Sequence, residues 1–150
     1  MGAESIVVRQ NNAFETQFLA PPPEGEPEHL HPVADIYQLT PYGMLLAGLG
    51  ACTAIVLHTY AQYHGLALRE VELRLTYDRV FAEDCKDCER VEAYTEQIEE
   101  EIVLTGDLTP EERKRLFAVS RQCPIHRMLV HGVEVRSRLV EEAPADGQGG

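Results

Sequence analysis

The sequence predicts an α+β domain in which one long apolar helix is covered by an antiparallel sheet. A helix start at Thr40-Pro41 opens an apolar stretch that runs to His64 and stops at Gly65. Alternating patterns typical of strands lie on both sides of it, and strands in runs with helices between them indicate an α+β fold. The 150 residues suffice for one domain with a core, but not for two. Residues 1–140 are therefore predicted to form one domain, and residues 141–150 a disordered tail.

The amino-terminal region predicts a hairpin and then a loop. Residues 6–8 and 14–19 read as short strands, and Asn11-Asn12 between them suits a turn because asparagine tolerates positive φ. Residues 20–32 are rich in proline and acidic side chains, which predicts an irregular surface loop.

The central helix is apolar around most of its circumference. Thr40 is the expected cap and Pro41 suits the first helical position. Its most apolar part, from Tyr42 to Leu57, is shorter than the roughly 20 residues that a bilayer needs, and it contains glycines, so a buried helix fits better than a membrane span. Such a helix must be covered on nearly every side. A small domain has difficulty covering this helix alone, and a second copy of the chain is the simplest source of the remaining cover.

The carboxyl-terminal half predicts further strands and helices. Residues 68–81 alternate cleanly between apolar and polar side chains, and residues 94–104 are predicted to be a strand paired with them. Thr109-Pro-Glu-Glu is a capping box, so a helix is expected over residues 109–121. A short helix should follow at Cys123-Pro124, and residues 133–139 alternate as a last strand.

The charge balance excludes several classes of partner. The chain has 25 acidic against 13 basic residues and a formal net charge of -12. Such a surface repels phosphate backbones and anionic lipids, so we expect neither nucleic acid nor membrane as a partner. No basic segment followed by an apolar one opens the sequence, so a cytoplasmic location is expected. In a reducing compartment, cysteines tend to be catalytic, metal-binding or inert.

Cys52 and Cys123 stand in contrasting settings. Cys52 lies in the middle of the apolar helix, where a free cysteine is most often a small hydrophobic residue of the core. Cys123 stands before Pro124 at the position where this chain elsewhere places a capping threonine. Free amide groups and the positive end of a helix should stabilise a thiolate there, and Arg121 and His126 are close in sequence. The two thiols can form a redox pair if the fold brings them together.

Two further cysteines, Cys85 and Cys88, have a spacing that suits redox chemistry or a metal. A closed zinc site needs four ligands, and one such pair supplies two. His29 and His31 could complete the set across space, but we favour a solvated loop. We therefore expect no metal and no cofactor.

Taken together, the motifs resemble those of the OsmC/Ohr family. They are the helix motif Pro41-Tyr-x-Met-Leu-Leu-Ala-x-Leu-Gly-Ala-Cys52-Thr-Ala, the element Asp84-Cys-x-x-Cys-Glu89, which is similar to one branch of the family, and Arg121-x-Cys-Pro-x-His-Arg127. The resemblance covers roughly residues 40–139. It implies an intertwined homodimer with two long central helices wrapped by sheets that draw strands from both chains. It also implies that Cys52 is the peroxidatic thiol, which attacks an organic hydroperoxide and becomes a sulfenic acid. Cys123 would then resolve it as a disulfide, which a dithiol reduces.

One departure from the family pattern leaves an alternative open. Peroxidatic members hold an arginine over the thiolate by means of a glutamate in the first turn of the long helix, but Tyr42 and Gly43 stand there in this chain. Arg9 is the candidate for the activating charge. The missing carboxylate favours a non-catalytic module that binds a small apolar ligand in the same pocket, whereas retention of Cys52 and Cys123 favours the enzyme.

Overall fold

The computed structural model describes residues 4–21, 30–81 and 94–141, which form one antiparallel sheet with helices on one of its faces. The elements in chain order are β1 Glu4–Asn11, β2 Thr16–Ala20, β3 His31–Pro32, a 3-10 turn Ile36–Gln38, α1 Pro41–Tyr63, β4 Leu68–Phe81, β5 Tyr94–Gly106, α2 Pro110–Ser120 and α3 Pro124–His131. The strand order is β3-β2-β1-β4-β5. The predicted α+β class, with a long helix on an antiparallel sheet, is confirmed.

The amino-terminal hairpin forms, although its turn differs in detail from the prediction. β1 pairs antiparallel with β2, as expected. The residue with positive φ is Phe14, at 63°, and neither asparagine adopts that conformation. Asn11 instead supports the turn through its side-chain oxygen, which accepts hydrogen bonds from the backbone N–H groups of Ala13 and Glu15. His31 lies in the short strand β3, so the predicted loop over residues 20–32 is wrong at that end.

Helix α1 begins and ends where the sequence signals lie. The Thr40 hydroxyl accepts a hydrogen bond from the N–H of Gly43 at 3.0 Å, and Pro41 is the first helical residue. The helix stops before Gly65, whose φ of 66° favours glycine. Its buried side, which includes Leu46 and Leu57, packs on β1 and β4. By length and composition α1 would also suit a membrane span, but this packing is that of a core helix.

No element of the described residues covers the other side of α1. It exposes a stripe of apolar or small residues at helical spacing: Met44, Leu45, Gly48 and Ile55. The sheet, α2 and α3 all lie against the buried side. The expectation that this helix is covered on nearly every side is therefore not met by the single chain.

Strands β4 and β5 form the longest ladder of the sheet, and their predicted pairing is confirmed. Val71, Leu73 and Leu75 of β4 are buried against the helices. Directly paired residues of neighbouring strands point to the same face. Ile102 pairs with Leu73 and Glu100 pairs with Leu75, so this carboxylate faces the helices.

The predicted last strand over residues 133–139 is wrong for the single chain. After α3 the chain passes Gly132, which has a φ of 87°. The segment pairs with no described strand, and Val135 and Leu139 are 79% and 97% exposed. An alternating pattern suits a strand, but it does not show whether a partner strand is present.

Candidate functional site

Cys52 and Cys123 come together where α1 meets the start of α3. Cys52 is half-buried, and Cys123 is completely buried with 0% of its surface exposed. The thiols lie close enough together for Cys123 to raise the pKa of Cys52, and both are free. The fold therefore brings the two cysteines together, as the redox interpretation of the sequence requires.

The amino end of α3 is directed at Cys52. Cys123 is the cap residue, but its side chain makes no capping hydrogen bond, so the expected contact between its sulfur and the helix end is wrong. The backbone N–H of Ile125 instead lies near Cys52 and lowers the pKa of its thiol. This donor and the positive end of the helix favour a thiolate at Cys52. The sequence alone had predicted that the helix end stabilises a thiolate at Cys123.

The resting state of Cys52 is nevertheless a protonated thiol. Burial raises the pKa of Cys52 above its usual value of 9.0, and the hydrogen bond and proximity to Cys123 raise this pKa further. The Ile125 N–H lowers the pKa but does not outweigh these two causes. Since the thiolate is the nucleophile, Cys52 in this arrangement needs either a higher pH or a further positive group to react quickly.

Arg9 lies away from the thiols within one chain. Ile6, Val8 and Gln10 of β1 are buried towards the helices, so Arg9 points to the opposite face of the sheet. There its Nε donates a hydrogen bond to Glu72 at 2.7 Å. The chain does not bring Arg9 to Cys52, and its role as the activating charge stays a prediction.

A groove of about 460 Å³ runs between the first half of α1, strand β5 and α3. Its walls are mostly apolar and include Leu45, Leu49, Ile98, Leu129 and Val130. Leu45, Leu49 and Cys52 follow one another at spacings of four and three residues, so they share a face of α1. The groove therefore leads along the helix towards the redox pair.

Glu100 and His126 form the polar end of this groove. His126 Nδ1 lies 3.3 Å from Glu100 Oε1, and both side chains are largely buried. Burial raises the pKa of Glu100, although the charge and the hydrogen bond of His126 oppose that effect. Oε2 of Glu100 is buried and has no hydrogen-bond partner among the described residues.

Sequence reasoning had overlooked Glu100, although a signal was present. In the strand prediction, Ile98 and Ile102 mark the buried face, and Glu100 stands between them at the same parity. His126 had been considered only as a positive neighbour of Cys123, whereas its side chain turns to Glu100.

A second polar cluster lies where the first turn of α1 faces the sheet. Tyr42 stacks on Tyr77 with 4.4 Å between ring centroids, and the Tyr77 hydroxyl donates a hydrogen bond to Glu96 at 2.6 Å. Arg79 lies 3.8 Å from Glu96 and is also hydrogen-bonded to Tyr77. The first turn itself carries no acidic residue, as the sequence indicates. The nearest carboxylate comes from β1, because Thr40 donates its hydroxyl hydrogen to Glu4.

The interpretation of Cys85, Cys88 and His29 as zinc ligands, and of the segment around the two cysteines as a loop, lies outside the described residues. Within the part of the chain that the structure describes, no group of three or more metal-binding side chains is present.

Comparison with known proteins gives the family. The sequence model described as "OsmC-like protein" matches residues 34–138, which is most of the chain. The chain belongs to the OsmC-like family. The matched range includes the long helix with Cys52 and the helix start with Cys123. The resemblance deduced from the two cysteine motifs is thereby confirmed. No curated protein matches the sequence.

Among solved structures, one OsmC-like protein supports the same fold. An OsmC-like hydroperoxide resistance protein from Jannaschia sp. CCS1 superposes with a TM-score of 0.59 at 16% identity, covering 95% of this chain and 97% of that chain. An OsmC-like protein from Mycoplasma pneumoniae gives a TM-score of 0.45 at 15% identity, covering 83% and 85% of the two chains. At 16% identity, the likeness to the Jannaschia protein shows the fold alone.

Proposed function

We propose that this OsmC-like protein reduces organic hydroperoxides with Cys52 and Cys123 as its redox pair. The observation that carries the proposal is the pair of neighbouring free thiols, with the Ile125 N–H close enough to Cys52 to lower its pKa. The similarity to the Jannaschia protein, an OsmC-like hydroperoxide resistance protein, is consistent with it. A buried thiol that only fills space needs neither a second thiol in contact nor a helix amide beside it.

The chemistry is balanced by the two thiols and an external dithiol. The Cys52 thiolate attacks one peroxide oxygen, the O–O bond breaks, and the leaving alkoxide takes a proton to become an alcohol. The resulting sulfenic acid at Cys52 condenses with the Cys123 thiol, so that an S–S bond forms and water leaves. A dithiol then reduces this disulfide and restores both thiols.

Each sulfur has a position that suits its step. Cys52 is half-buried and shares a helix face with the groove, so a hydroperoxide can approach it from there. Cys123 is completely buried, which keeps it from solvent oxidants and leaves it beside the sulfenic acid when that forms. The Ile125 N–H stabilises negative charge on Cys52 as it becomes the nucleophile.

The direct test is the consumption of cumene hydroperoxide with a dithiol as reductant. We expect catalytic turnover by the wild type, and turnover at the reductant background for Cys52→Ser. Cys123→Ser should complete one round and then lose activity, because the sulfenic acid is no longer resolved. A double Cys85→Ser/Cys88→Ser variant is the control, and it should keep its activity.

Two results would overturn the proposal. The first is a wild-type rate no faster than the reductant alone, which would leave a ligand-binding module as the function. The second is loss of turnover in the Cys85/Cys88 control with retention in the Cys52 variant, which would move the chemistry to the other cysteine pair.

We further propose that the protein works as a homodimer with the site at the interface. The uncovered stripe of α1 is apolar and passes Cys52, which lies between Gly48 and Ile55, and the exposed segment 133–139 has the alternating pattern of a strand but no partner among the described residues. A second chain can cover the stripe and supply a strand edge. Solution mass by light scattering should equal two chains, and removal of residues 133–150 should weaken the dimer. A monomer at micromolar concentration would contradict the proposal.

A further inference from the structure

We propose that the groove between α1, β5 and α3 binds an amphiphile whose head group is a non-anionic hydrogen-bond donor, and that Glu100 selects it. The inference rests on the proposed function only for the identity of the substrate, which would be a hydroperoxide bearing a hydroxyl or amino group in place of a carboxylate. Binding itself does not depend on turnover.

The walls of the groove indicate that most of the ligand is apolar. Its volume of about 460 Å³ lies within the range of about 300–1,000 Å³ that small-ligand sites occupy. Leu45, Leu49, Ile98 and Leu129 offer apolar contact along its length. An alkyl or aryl group can therefore leave water there.

The head group is indicated by the unsatisfied oxygen of Glu100. Oε1 faces His126, but Oε2 is buried and has no hydrogen-bond partner among the described residues. A buried acceptor without a partner is unfavourable, and a ligand that donates a hydrogen bond removes that penalty. A hydroxyl or an ammonium group does so, whereas a carboxylate offers only acceptors.

Of the charged groups around the groove, Glu100 is the one that selects the head group of the ligand. Glu96 is also an acid at this site, but it accepts the Tyr77 hydroxyl and lies 3.8 Å from Arg79. Among the described residues, Glu100 is paired with His126 alone. A second carboxylate brought beside Glu100 would be repelled at close range in a partly desolvated groove, where such repulsion is strong.

The experiment compares three probes that share one chain and differ in the head group: 1-octanol, octylamine and octanoate. Each is titrated into the reduced full-length protein at pH 8, and binding is followed through amide chemical shifts in NMR spectra. We expect octanol and octylamine to bind at least about tenfold more tightly than octanoate. The shifts should cluster at α1 residues 42–49, on β5 and on α3.

Matched variants separate the local effect of Glu100 from the overall negative charge. Glu100→Gln should bring octanoate to within about threefold of octanol. Glu101→Gln removes the same charge from the next residue, which pairs with Arg74 on the opposite face of the sheet, and it should leave the tenfold preference unchanged.

Three results would overturn the inference: octanoate binding as tightly as octanol, equal effects of the two variants, or no probe binding at this groove. If one of these results is obtained and the protein still reduces hydroperoxides, the head-group assignment is refuted and the proposed function stands. If the probes bind selectively but the protein has no peroxidase activity, the proposed function is refuted and the head-group assignment stands.

Discussion

Replacing Gly50 by alanine tests how closely α1 approaches the sheet beside the redox site. A Cβ at this position would lie 2.6 Å from Val8 Cγ2 and 2.9 Å from Leu75 Cδ1. Carbon atoms prefer separations of about 3.5–4.0 Å, so the helix and the sheet must separate by about 1 Å. Both neighbours are in the core and at most 1% exposed, so neither can turn away.

The magnitude follows from two opposing effects. Overpacking of this kind costs about 3 kcal/mol at the upper end of its range. Alanine improves helix propensity over glycine by about 1 kcal/mol. Gly50→Ala should therefore lower the free energy of unfolding by about 2 kcal/mol, measured by urea denaturation at a fixed protein concentration.

A double-mutant cycle with Val8→Ala identifies the contact responsible. Val8→Ala removes the Cγ2 atom that meets the new methyl group, so Gly50→Ala should be at least about 1 kcal/mol less destabilising in that background. If the two changes are additive, or if Gly50→Ala leaves stability unchanged, the close approach of α1 to β1 described here is wrong.

Three further predictions concern ionisable groups. Because burial raises the pKa of Cys52, its alkylation by iodoacetamide should speed up roughly tenfold per pH unit from pH 7 to 9, and a plateau below pH 8 would contradict this. Burial lowers the pKa of His58 below 6.5, so the unfolded state binds the proton more readily and wild-type stability should fall as pH drops below 6.5, by up to about 1.4 kcal/mol per unit. His58→Gln should remove that fall, and an unchanged pH slope would refute the assignment. For Glu72, burial alone would raise the pKa, but hydrogen bonds from two arginines outweigh burial and the pKa is lowered. The ionised Glu72 therefore stabilises the folded state above pH 4.5, and this stabilisation is lost as the pH falls through the pKa of the folded state. Glu72→Gln should cost about 1 kcal/mol at pH 7 and less at pH 3, whereas the exposed Glu99→Gln should be neutral at both.

Local signals in the sequence were enough for most of the elements. Thr40-Pro41 and the capping box at Thr109 locate two helices because the capping contacts are made within a few residues. The alternation of residues 68–81 gives both the strand and its buried face. The strand predicted over residues 133–139 failed because this segment pairs with no strand of the described residues, and an alternating pattern does not show whether a partner is present.

The site was predictable only in part, since its details depend on tertiary contacts. The two thiols could be singled out from their motifs, but the direction of α3 was not visible in the sequence, so the helix end was assigned to Cys123 when its amide faces Cys52. Glu100 could have been found from the sequence, because it alternates with apolar residues on the side of the strand that is expected to be buried. Its partner His126 is distant in sequence, and only the packing of α3 on β5 brings the two together.

The central claim is that Cys52 and Cys123 act as one redox unit, and disulfide mapping tests it most directly. Fully reduced protein is treated with one equivalent of cumene hydroperoxide, blocked with a thiol reagent, digested and analysed by mass spectrometry. We predict a single cross-linked peptide pair joining Cys52 to Cys123, formed as the peroxide disappears, with Cys85 and Cys88 still alkylated. A link to Cys85 or Cys88, or sulfinic acid at Cys52 with Cys123 still alkylated, would contradict the claim.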